Sequence, residues 1–337
     1  MNRGGGRRYL ALSLVFAAVF VASFFLGRYA VSAESLLRIL TAPFNAAGLE
    51  GVTTEFAVIF RIRLPRVIAA ALIGAALATA GAAYQGMFRN PMVSPDILGA
   101  STGAGFGAAL GILLSFGYFG ITASAFLFGL GAVSLSYAVS RVSRLDETLS
   151  LVLAGVMISS LFSACTSFVK LVADTEDQLP AITYWLMGSL ASVKLEDLPF
   201  AAIPIALGYV PLFLLRWRIN ILTAEEDEAR SLGLDVGRMR FIVIVCATLM
   251  TAASVAISGM IGWVGLVIPH FCRLIFGYDY HRLIPVSALM GASFLTVVDN
   301  VARIAATSEI PLGILTSFVG APLFVYLILT GGVARAR

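Results

Sequence analysis

The chain has 337 residues, of which 59% are hydrophobic and only 12% carry a charge, against about 25% charged in an ordinary soluble domain. A soluble globular protein is therefore excluded, because too few polar side chains are present to face water. The net charge of +4 does not indicate a nucleic-acid partner, since the basic residues lie between apolar blocks, where positive-inside topology predicts them.

The apolar residues form blocks of about 20, the length at which a helix crosses the hydrocarbon layer. Strict strand alternation is absent, so we predict an all-α membrane protein rather than a β-barrel. Ten spans are predicted, at residues 9–27, 64–87, 96–115, 120–139, 148–172, 198–215, 241–259, 261–276, 284–305 and 312–330. They form a single membrane domain, 1–337, with both termini in the cytoplasm.

Three basic residues precede the first apolar block, and Val31-Ser32-Ala33 loosely resembles a signal-peptide cleavage site. We predict an uncleaved first helix instead, because the block is long enough to span the membrane and the rest of the chain is itself membrane.

Four arginines break the positive-inside pattern. With the N-terminus inside, Arg61, Arg63 and Arg66 lie together outside the membrane, just before the second span. Arg303 lies near the outer end of the ninth span. From the residues alone, a docking surface and a structural use in headgroup anchoring or ion pairs remain equally open.

The longest cytoplasmic segment, 216–240, carries the signals of a short helix at about 224–232. Thr223 and Glu226 have the spacing of a capping box. Acidic residues crowd the first turn, where the helix dipole favours them, and Gly233 supplies a left-handed residue at the end. This helix is either a docking element or a solvated connector.

The loop after the second span contains two prolines that stop the helix, and Asp96 is placed to cap the next one. The third span then presents glycines at every fourth position, which predicts close helix packing. They are Gly99, Gly103, Gly107 and Gly111.

The fifth span has a polar stripe along one helical face. Its members are Ser159, Ser163, Thr166, Ser167 and Lys170. The stripe either lines a translocation path or consists of hydroxyls bonded to carbonyls of their own helix. In the ninth span, Asp299 and Arg303 are four residues apart and are predicted to pair.

The motifs of common enzymes are absent from the sequence. It contains no GxxxxGK[ST] phosphate loop, no GxSxG, no HExxH, no CxxC pair and no paired catalytic carboxylates. We therefore predict that the chain is not an enzyme and binds neither a metal nor another cofactor. His270 and His281 are isolated histidines without a ligand pattern.

Several motifs, in order from about residue 56 to the C-terminus, together resemble the FecCD permeases. They include Arg63-Leu64-Pro65-Arg66, Arg89-Asn90-Pro91, Ala229-Arg230-Ser231-Leu232-Gly233, Gly265 to His270 with Arg273, Asp299 with Ala302-Arg303, and Pro311-Leu312-Gly313. The first 55 residues carry no matching motif. This family supplies the permeases of type II ABC importers for iron-siderophores, haem and cobalamin, and some relatives carry molybdate or tungstate.

The resemblance implies a type II importer permease fold of ten transmembrane helices in the inner (plasma) membrane of a bacterium or archaeon. The permease would work as a homodimer with the pathway at its interface. Two separate ATPase chains, which hold ATP-Mg, would bind from the cytoplasm. A periplasmic or lipid-anchored substrate-binding protein would deliver the cargo.

The resemblance also implies roles for individual residues. Glutamates of the binding protein would dock on Arg63, Arg66 and Arg303. The ATPase would couple through Glu226, Ala229, Arg230, Ser231, Leu232 and Gly233. The translocation pathway would be lined by Ser159, Ser163, Thr166 and Ser167.

The resulting prediction is a permease that imports a metal chelate, with an iron-siderophore or haem first and cobalamin second. A bare cation would need carboxylate or histidine ligands, and no buried charge cluster is predicted within the spans. The alternatives are a molybdate or tungstate permease of the same fold and an ion-coupled secondary transporter. For that transporter only Asp299 offers an intramembrane acid.

Overall fold

The computed structural model describes residues 3–29, 31, 32, 34, 36, 38, 53–144 and 146–329, which form helices and loops without a β-strand. In chain order the elements are α1 (Arg3–Ala22), α2 (Thr53–Ala57), a π-helical turn (Val58–Arg63), α3 (Leu64–Met87), α4 (Ala100–Leu113), α5 (Tyr118–Val142), α6 (Glu147–Val172), α7 (Gln178–Met187), a 3-10 turn (Leu195–Asp197), α8 (Leu198–Leu214), α9 (Arg216–Leu222), α10 (Glu226–Ser231), α11 (Val236–Ser258), α12 (Val264–Phe276), α13 (Tyr280–Ile304) and α14 (Leu312–Leu329).

Within the described residues, six helical segments are long and apolar enough to cross a membrane. They are Thr54–Met87, Tyr118–Val142, Glu147–Val172, Leu195–Leu214, Val236–Ser258 and Tyr280–Ile304. Shorter apolar helices occupy Ala100–Leu113, Val264–Phe276 and Leu312–Tyr326. Each of the ten predicted spans coincides with one helix, so the all-α membrane fold is confirmed. Residue 330, the end of the tenth span, lies outside the described residues.

The centre of the bundle is built from small residues on α3, which packs against α13, α11 and α12. A Cβ added to Gly74 would lie 2.2 Å from the carbonyl oxygen of Gly291 on α13. A Cβ added to Gly81 would lie 1.8 Å from the carbonyl oxygen of Gly265 on α12. At both crossings the backbones touch, so only glycine fits.

The close packing predicted for the glycines of the third span is confirmed at Gly103 and Gly107, whereas Gly99 precedes α4 with φ +87° and a Cβ there would meet Ser159 Oγ of α6 at 2.9 Å. A Cβ at Gly103 or Gly107 would each come within 2.5 Å of a backbone oxygen of α5. Asp96 also behaves as predicted at the start of α4, since its Oδ1 accepts a hydrogen bond from the Ser101 N–H at 2.6 Å. The contacts at Gly103 and Gly107 place α4 closely against α5.

Several short elements were not predicted, among them α7 and the π-helical turn before α3. The ten residues of α7 are too few for a span, and Pro180 lies in its first turn, so hydropathy predicts no membrane helix there. The π-helical turn before α3 follows α2 directly. It is a local departure from α-helical geometry that hydropathy does not detect.

The central helix α3 defines two ends of the bundle. Its 24 residues span about 36 Å at 1.5 Å per residue. Arg66 lies in its first turn, and Arg89, just beyond its last turn, donates from Nη1 to the carbonyl oxygen of Ala224 at 3.3 Å. We call the end of the bundle that contains Arg66 the Arg66 end. The opposite end, which contains the segment 216–240, is called the Arg240 end after one of the residues of that segment.

Candidate functional site

Arg66 is at the centre of a buried ion-pair network. Its Nε donates to Asp299 Oδ1 at 2.7 Å, and its Nη1 donates to the two Glu309 oxygens at 2.8 and 2.9 Å. Arg66 and Asp299 are buried, whereas the Glu309 side chain is 35% exposed. Because an unpaired charge away from water is strongly destabilising, these carboxylates stabilise the guanidinium. The network ties α3 to α13 and to the loop that follows α13.

Arg303 lies on the other side of the same carboxylate. Its Nε is 3.2 Å from Asp299 Oδ2, and its Nη2 donates to Asn300 Oδ1 and to the Ser23 carbonyl oxygen. Asn300 Nδ2 in turn donates to Ser23 Oγ at 2.8 Å. The predicted pairing of Asp299 with Arg303 is confirmed. The bonds from Arg303 and Asn300 to Ser23 hold the residue that follows α1 against α13.

Arg63 is buried in the π-helical turn. Its guanidinium donates to the carbonyl oxygens of Phe24 and Tyr29. Gly27 lies against the guanidinium, because a Cβ there would be 2.8 Å from Nη2. Arg63 therefore fixes the segment that follows α1, which is a structural task.

The surface at the Arg66 end is formed by other charged residues. Arg61 is exposed, and so is Arg28, whose Nη2 donates to the Ala306 carbonyl oxygen at 3.0 Å. A partner carboxylate would reach the guanidinium of Arg66 by displacing Glu309. Docking on the three buried arginines stays a prediction. Glu309 was not predicted to take part, because it lies in the loop between α13 and α14, outside the FecCD-like motifs.

At the Arg240 end, the predicted helix is present as α10, Glu226–Ser231. Gly233 follows with φ +80°, in the left-handed region that ends many helices. Its N–H donates to the Arg230 carbonyl oxygen at 2.9 Å. A Cβ at Gly233 would meet nothing within 4 Å. The glycine is therefore required for its backbone angle alone.

The predicted capping box is wrong. The cap position of α10 is Glu225, which makes no side-chain capping bond. Thr223 Oγ1 donates to the Asn220 carbonyl oxygen at 2.6 Å instead. The reason is that α9 extends to Leu222, so Thr223 closes the preceding helix and does not open the next one.

Arg240 joins three helices. This arginine of α11 is 5% exposed. Its Nη2 lies 3.1 Å from Glu226 Oε2 of α10, and its Nη1 pairs with Glu147 Oε2 at the first residue of α6. The other oxygen of Glu226 accepts from Arg230 Nη2 at 2.6 Å. Glu226 was predicted as a coupling residue, whereas Arg240 and Glu147 were not singled out, because their pairing is not local in sequence.

The remaining predicted coupling residues differ in how far their side chains are buried. Ala229 is 1% exposed and packs into the core, while Leu232 is 62% exposed. Ser231 Oγ donates to the Glu228 carbonyl oxygen at 2.7 Å. Leu232 also lines a cavity of 260 Å³ between α9 and α11, beside Trp217. A partner at this end would contact Leu232 and this cavity, and Ala229 would hold α10 in place.

Asn220 and Asp279 attach α9 to α13. Asn220 Nδ2 donates to Asp279 Oδ1 at 2.8 Å, and the Tyr280 N–H donates to Asn220 Oδ1 at 2.7 Å. Burial raises the pKa of Asp279, but hydrogen bonds from Asn220 and the His281 N–H outweigh this effect and hold the pKa below its ordinary value. The segment 216–240 is thus anchored at α9 as well as at α10.

A model of the FecCD transport family matches residues 14–330. The chain belongs to the FecCD family. A molybdate import system permease protein of Haemophilus influenzae is 42% identical over 327 residues, covering 96% of both chains. A Helicobacter pylori protein described as an iron chelatin transport system permease is 40% identical over 323 residues, covering 95% of this chain and 97% of the relative. The solved chain of a metal-chelate type ABC transporter, in an inward-facing conformation, has a TM-score of 0.87 and 39% identity, covering 96% of this chain and 99% of the other.

Membership in the FecCD family makes this chain a multi-pass permease subunit of an ABC importer in the plasma membrane, with the type II fold. An importer of this class implies ATPase and substrate-binding partners. The family match begins at residue 14, well ahead of the motifs that carried the resemblance. The resemblance is therefore confirmed over nearly the whole chain.

In this FecCD permease, α6 is the span with the smallest buried share among the six, 22%. Ser163 and Ser167 are exposed on it, and Ser159 and Thr166 are half-buried. Thr166 Oγ1 donates to the Phe162 carbonyl oxygen at 2.9 Å, and Ser167 Oγ donates to the Ser163 carbonyl oxygen at 3.0 Å. Two of the stripe hydroxyls thus bond to their own helix, and the stripe still reaches the surface of the subunit. A pathway role stays a prediction.

Among the described residues, no group of three or more His, Cys, Asp or Glu side chains is placed to hold a metal ion. His270 is buried in α12. His281 is exposed, and its Nε2 lies 3.2 Å from Arg216 Nη2.

Proposed function

We propose that this FecCD permease imports a metal chelate, an iron-siderophore or haem first and cobalamin second. The observation that carries the proposal is the outward face of α6, where exposed hydroxyls of Ser163 and Ser167 lie among exposed apolar side chains such as Leu161 and Phe168. Such a face suits a bulky cargo that brings its own metal ligands.

Two copies of the chain would bring their α6 faces together around the pathway. The Arg66 end would face outward, towards the binding protein, and the Arg240 end would face the cytoplasm, together with both termini. Two ATPase chains would bind there and hold ATP-Mg. The permease itself would contribute neither a catalytic residue nor a bound cofactor.

A molybdate or tungstate cargo is the second candidate, favoured by the 42% identity to a molybdate permease. To separate the two, the permease would be reconstituted in liposomes with its ATPase and binding protein. ATP-dependent uptake of radiolabelled ferric chelate, haem, cobalamin and molybdate would then be compared. Chelate uptake is the expected result. Uptake of molybdate alone would reject the chelate, and uptake driven by an ion gradient without ATPase would reject the importer.

Docking at the Arg66 end requires a gentler test than charge reversal. Arg66→Glu would place a third carboxylate against Asp299 and Glu309 in a buried site, so the variant is expected to misfold. Glu309→Gln instead removes the carboxylate that competes with the partner for Arg66. We expect the binding protein to bind this variant about three- to tenfold more tightly. The reason is that its carboxylate no longer has to displace the Glu309 carboxylate from Arg66, which we expect to cost about 1 kcal/mol in the wild-type protein.

The measurement is the Kd of the purified binding protein for the permease in nanodiscs. Arg66→Lys, which keeps the charge but loses the forked geometry, should weaken binding. Lys194→Gln is the matched control, since Lys194 is an exposed charge in the loop before α8, outside the Arg66 network. Wild-type affinity in both Arg66→Lys and Glu309→Gln would show that Arg66 is structural only.

The coupling role of α10 depends on the backbone of Gly233. Gly233→Val places a β-branched residue at φ +80°, which costs about 1–2 kcal/mol or forces the turn to rearrange. We expect ATP hydrolysis to persist while uptake per ATP falls several-fold. Gly237→Ala is the matched control, because Gly237 lies inside α11 with only Asp235 Oδ1 near its Cβ position, at 3.8 Å. Unchanged uptake per ATP in Gly233→Val would contradict the coupling assignment.

A further inference from the structure

An apolar groove opens on the outside of the bundle between α1, α3, α8 and α13. Its volume is 500 Å³, and ten of its twelve lining residues have apolar side chains. Tyr9, Phe16 and Phe20 of α1 line one side, and Leu72 and Leu289 lie opposite. From Tyr9 to Phe20 the groove follows α1 for about 16 Å. An elongated apolar ligand therefore fits the groove at membrane depth.

The two tyrosines that line the groove lie at one of its ends. Tyr9 Oη donates to the Arg282 carbonyl oxygen at 3.3 Å. Tyr209 stacks on Phe213, with ring centroids 5.9 Å apart. Tyrosines at the mouth of an apolar groove are typical of the membrane–water boundary, where a hydroxyl meets polar groups.

The same mouth is strongly basic. The guanidinium of Arg216 lies 3.9 Å above the ring of Phe213, and its Nη2 is 3.2 Å from His281 Nε2. Arg282 is exposed, and Arg8 Nη1 donates to the Ile275 carbonyl oxygen. No carboxylate pairs with Arg216 within the part of the chain that the structure describes, and its Nε has no acceptor there.

Among the described residues, the carboxylate of Asp279 lies near these cations and is already engaged. Asp279 accepts hydrogen bonds from Asn220 Nδ2 and from the His281 N–H, and its Oδ2 is 4.0 Å from Arg282 Nε. Three guanidiniums against one carboxylate leave two positive charges at the mouth. A basic mouth on an apolar groove matches an amphiphile with an anionic head.

We propose that this groove binds an anionic phospholipid. One acyl chain lies along α1, and the headgroup phosphate lies against Arg216 and Arg282, whose planar guanidiniums match phosphate oxygens. A free phosphate would satisfy the cations but leave the groove unfilled, and a zwitterionic lipid would fill the groove without using the charge. This proposal does not rest on the cargo or on the partners proposed above.

The test is native mass spectrometry of the purified full chain, with equal amounts of phosphatidylglycerol and phosphatidylcholine of the same acyl length. We expect wild-type protein to retain phosphatidylglycerol roughly tenfold over phosphatidylcholine. Each of the two arginines is expected to contribute a factor of about three to five to this preference. Arg216→Gln combined with Arg282→Gln should abolish that preference. Arg238→Gln is the matched control, an exposed arginine at the same end whose side chain pairs with Asp235.

A second variant tests the groove. Ala288→Phe puts a ring into the space occupied by the acyl chain and should reduce retention of both lipids. An unchanged phosphatidylglycerol preference in the double glutamine variant would overturn the proposal. So would full retention in Ala288→Phe, or displacement of the lipid by millimolar inorganic phosphate, which would indicate a free-anion site.

Discussion

Gly81→Val should leave almost no folded permease in the membrane. The Cβ of the new side chain would lie 1.8 Å from the Gly265 carbonyl oxygen, and both atoms belong to helices that pack at the centre of the bundle. Overpacking a core usually costs about 1–3 kcal/mol when side chains can move aside. Here the obstacle is backbone, so α3 and α12 must separate and the effect exceeds that range.

The measurement is the yield of monodisperse protein after detergent extraction, followed by its thermal unfolding. Gly131→Ala is the matched control, because a Cβ at Gly131 of α5 would meet nothing within 4 Å. That variant should fold normally, with a small gain from helix propensity. A Gly81→Val protein with wild-type yield and Tm would show that the α3–α12 crossing is not as close as described.

Arg240→Gln should uncouple ATP hydrolysis from uptake while leaving the permease folded. Removing one member of a buried ion pair commonly costs about 3–5 kcal/mol. The Glu226 and Glu147 side chains are 32% and 31% exposed, so solvent screens them and the cost falls well below that range. The loss of coupling between ATP hydrolysis and uptake is larger than the loss of stability, because the ion pairs that join α10 to α6 through Arg240 are removed.

The experiment compares ATP hydrolysis and cargo uptake in liposomes for the wild-type permease and three variants. In the Arg240→Gln variant we expect hydrolysis to continue and uptake to fall by about tenfold or more. A factor of this size corresponds to a typical coupling free energy between two sites, about 1–3 kcal/mol. Replacing Glu226 and Glu147 with glutamine as well should restore stability but not uptake. Arg144→Gln, at an exposed arginine in the loop before α6, is the control. Recovery of uptake in the triple variant would show that the network serves stability alone.

Much of the fold followed from the sequence, because membrane helices are encoded locally. The spans were predicted by hydropathy, the tight crossings of α4 by its four-residue glycine repeat, and the end of α10 by Gly233. The capping box failed because two short helices meet at Thr223, and spacing alone does not show which of them a hydroxyl serves.

The candidate sites were less predictable, because their contacts join residues far apart in the chain. The unusual position of Arg66 was visible, but its burial between Asp299 and Glu309 was not. In the sequence Arg240 is one of several cytoplasmic arginines, and only the folded structure shows that it pairs with Glu147 of α6 and Glu226 of α10. Topology places a charge on one side of the membrane, and only packing shows whether that charge is free to meet a partner.

The course of α3 has a consequence for how signals would cross the membrane. One unbroken helix carries Arg66 in its first turn, and Arg89, just past its last, holds the Ala224 carbonyl oxygen. With partners at both ends as proposed, any shift of α3 caused by binding at the Arg66 end also moves Arg89 at the Arg240 end. Thermodynamic reciprocity then applies. The factor by which the binding protein changes nucleotide affinity must equal the factor by which nucleotide changes the affinity of the binding protein.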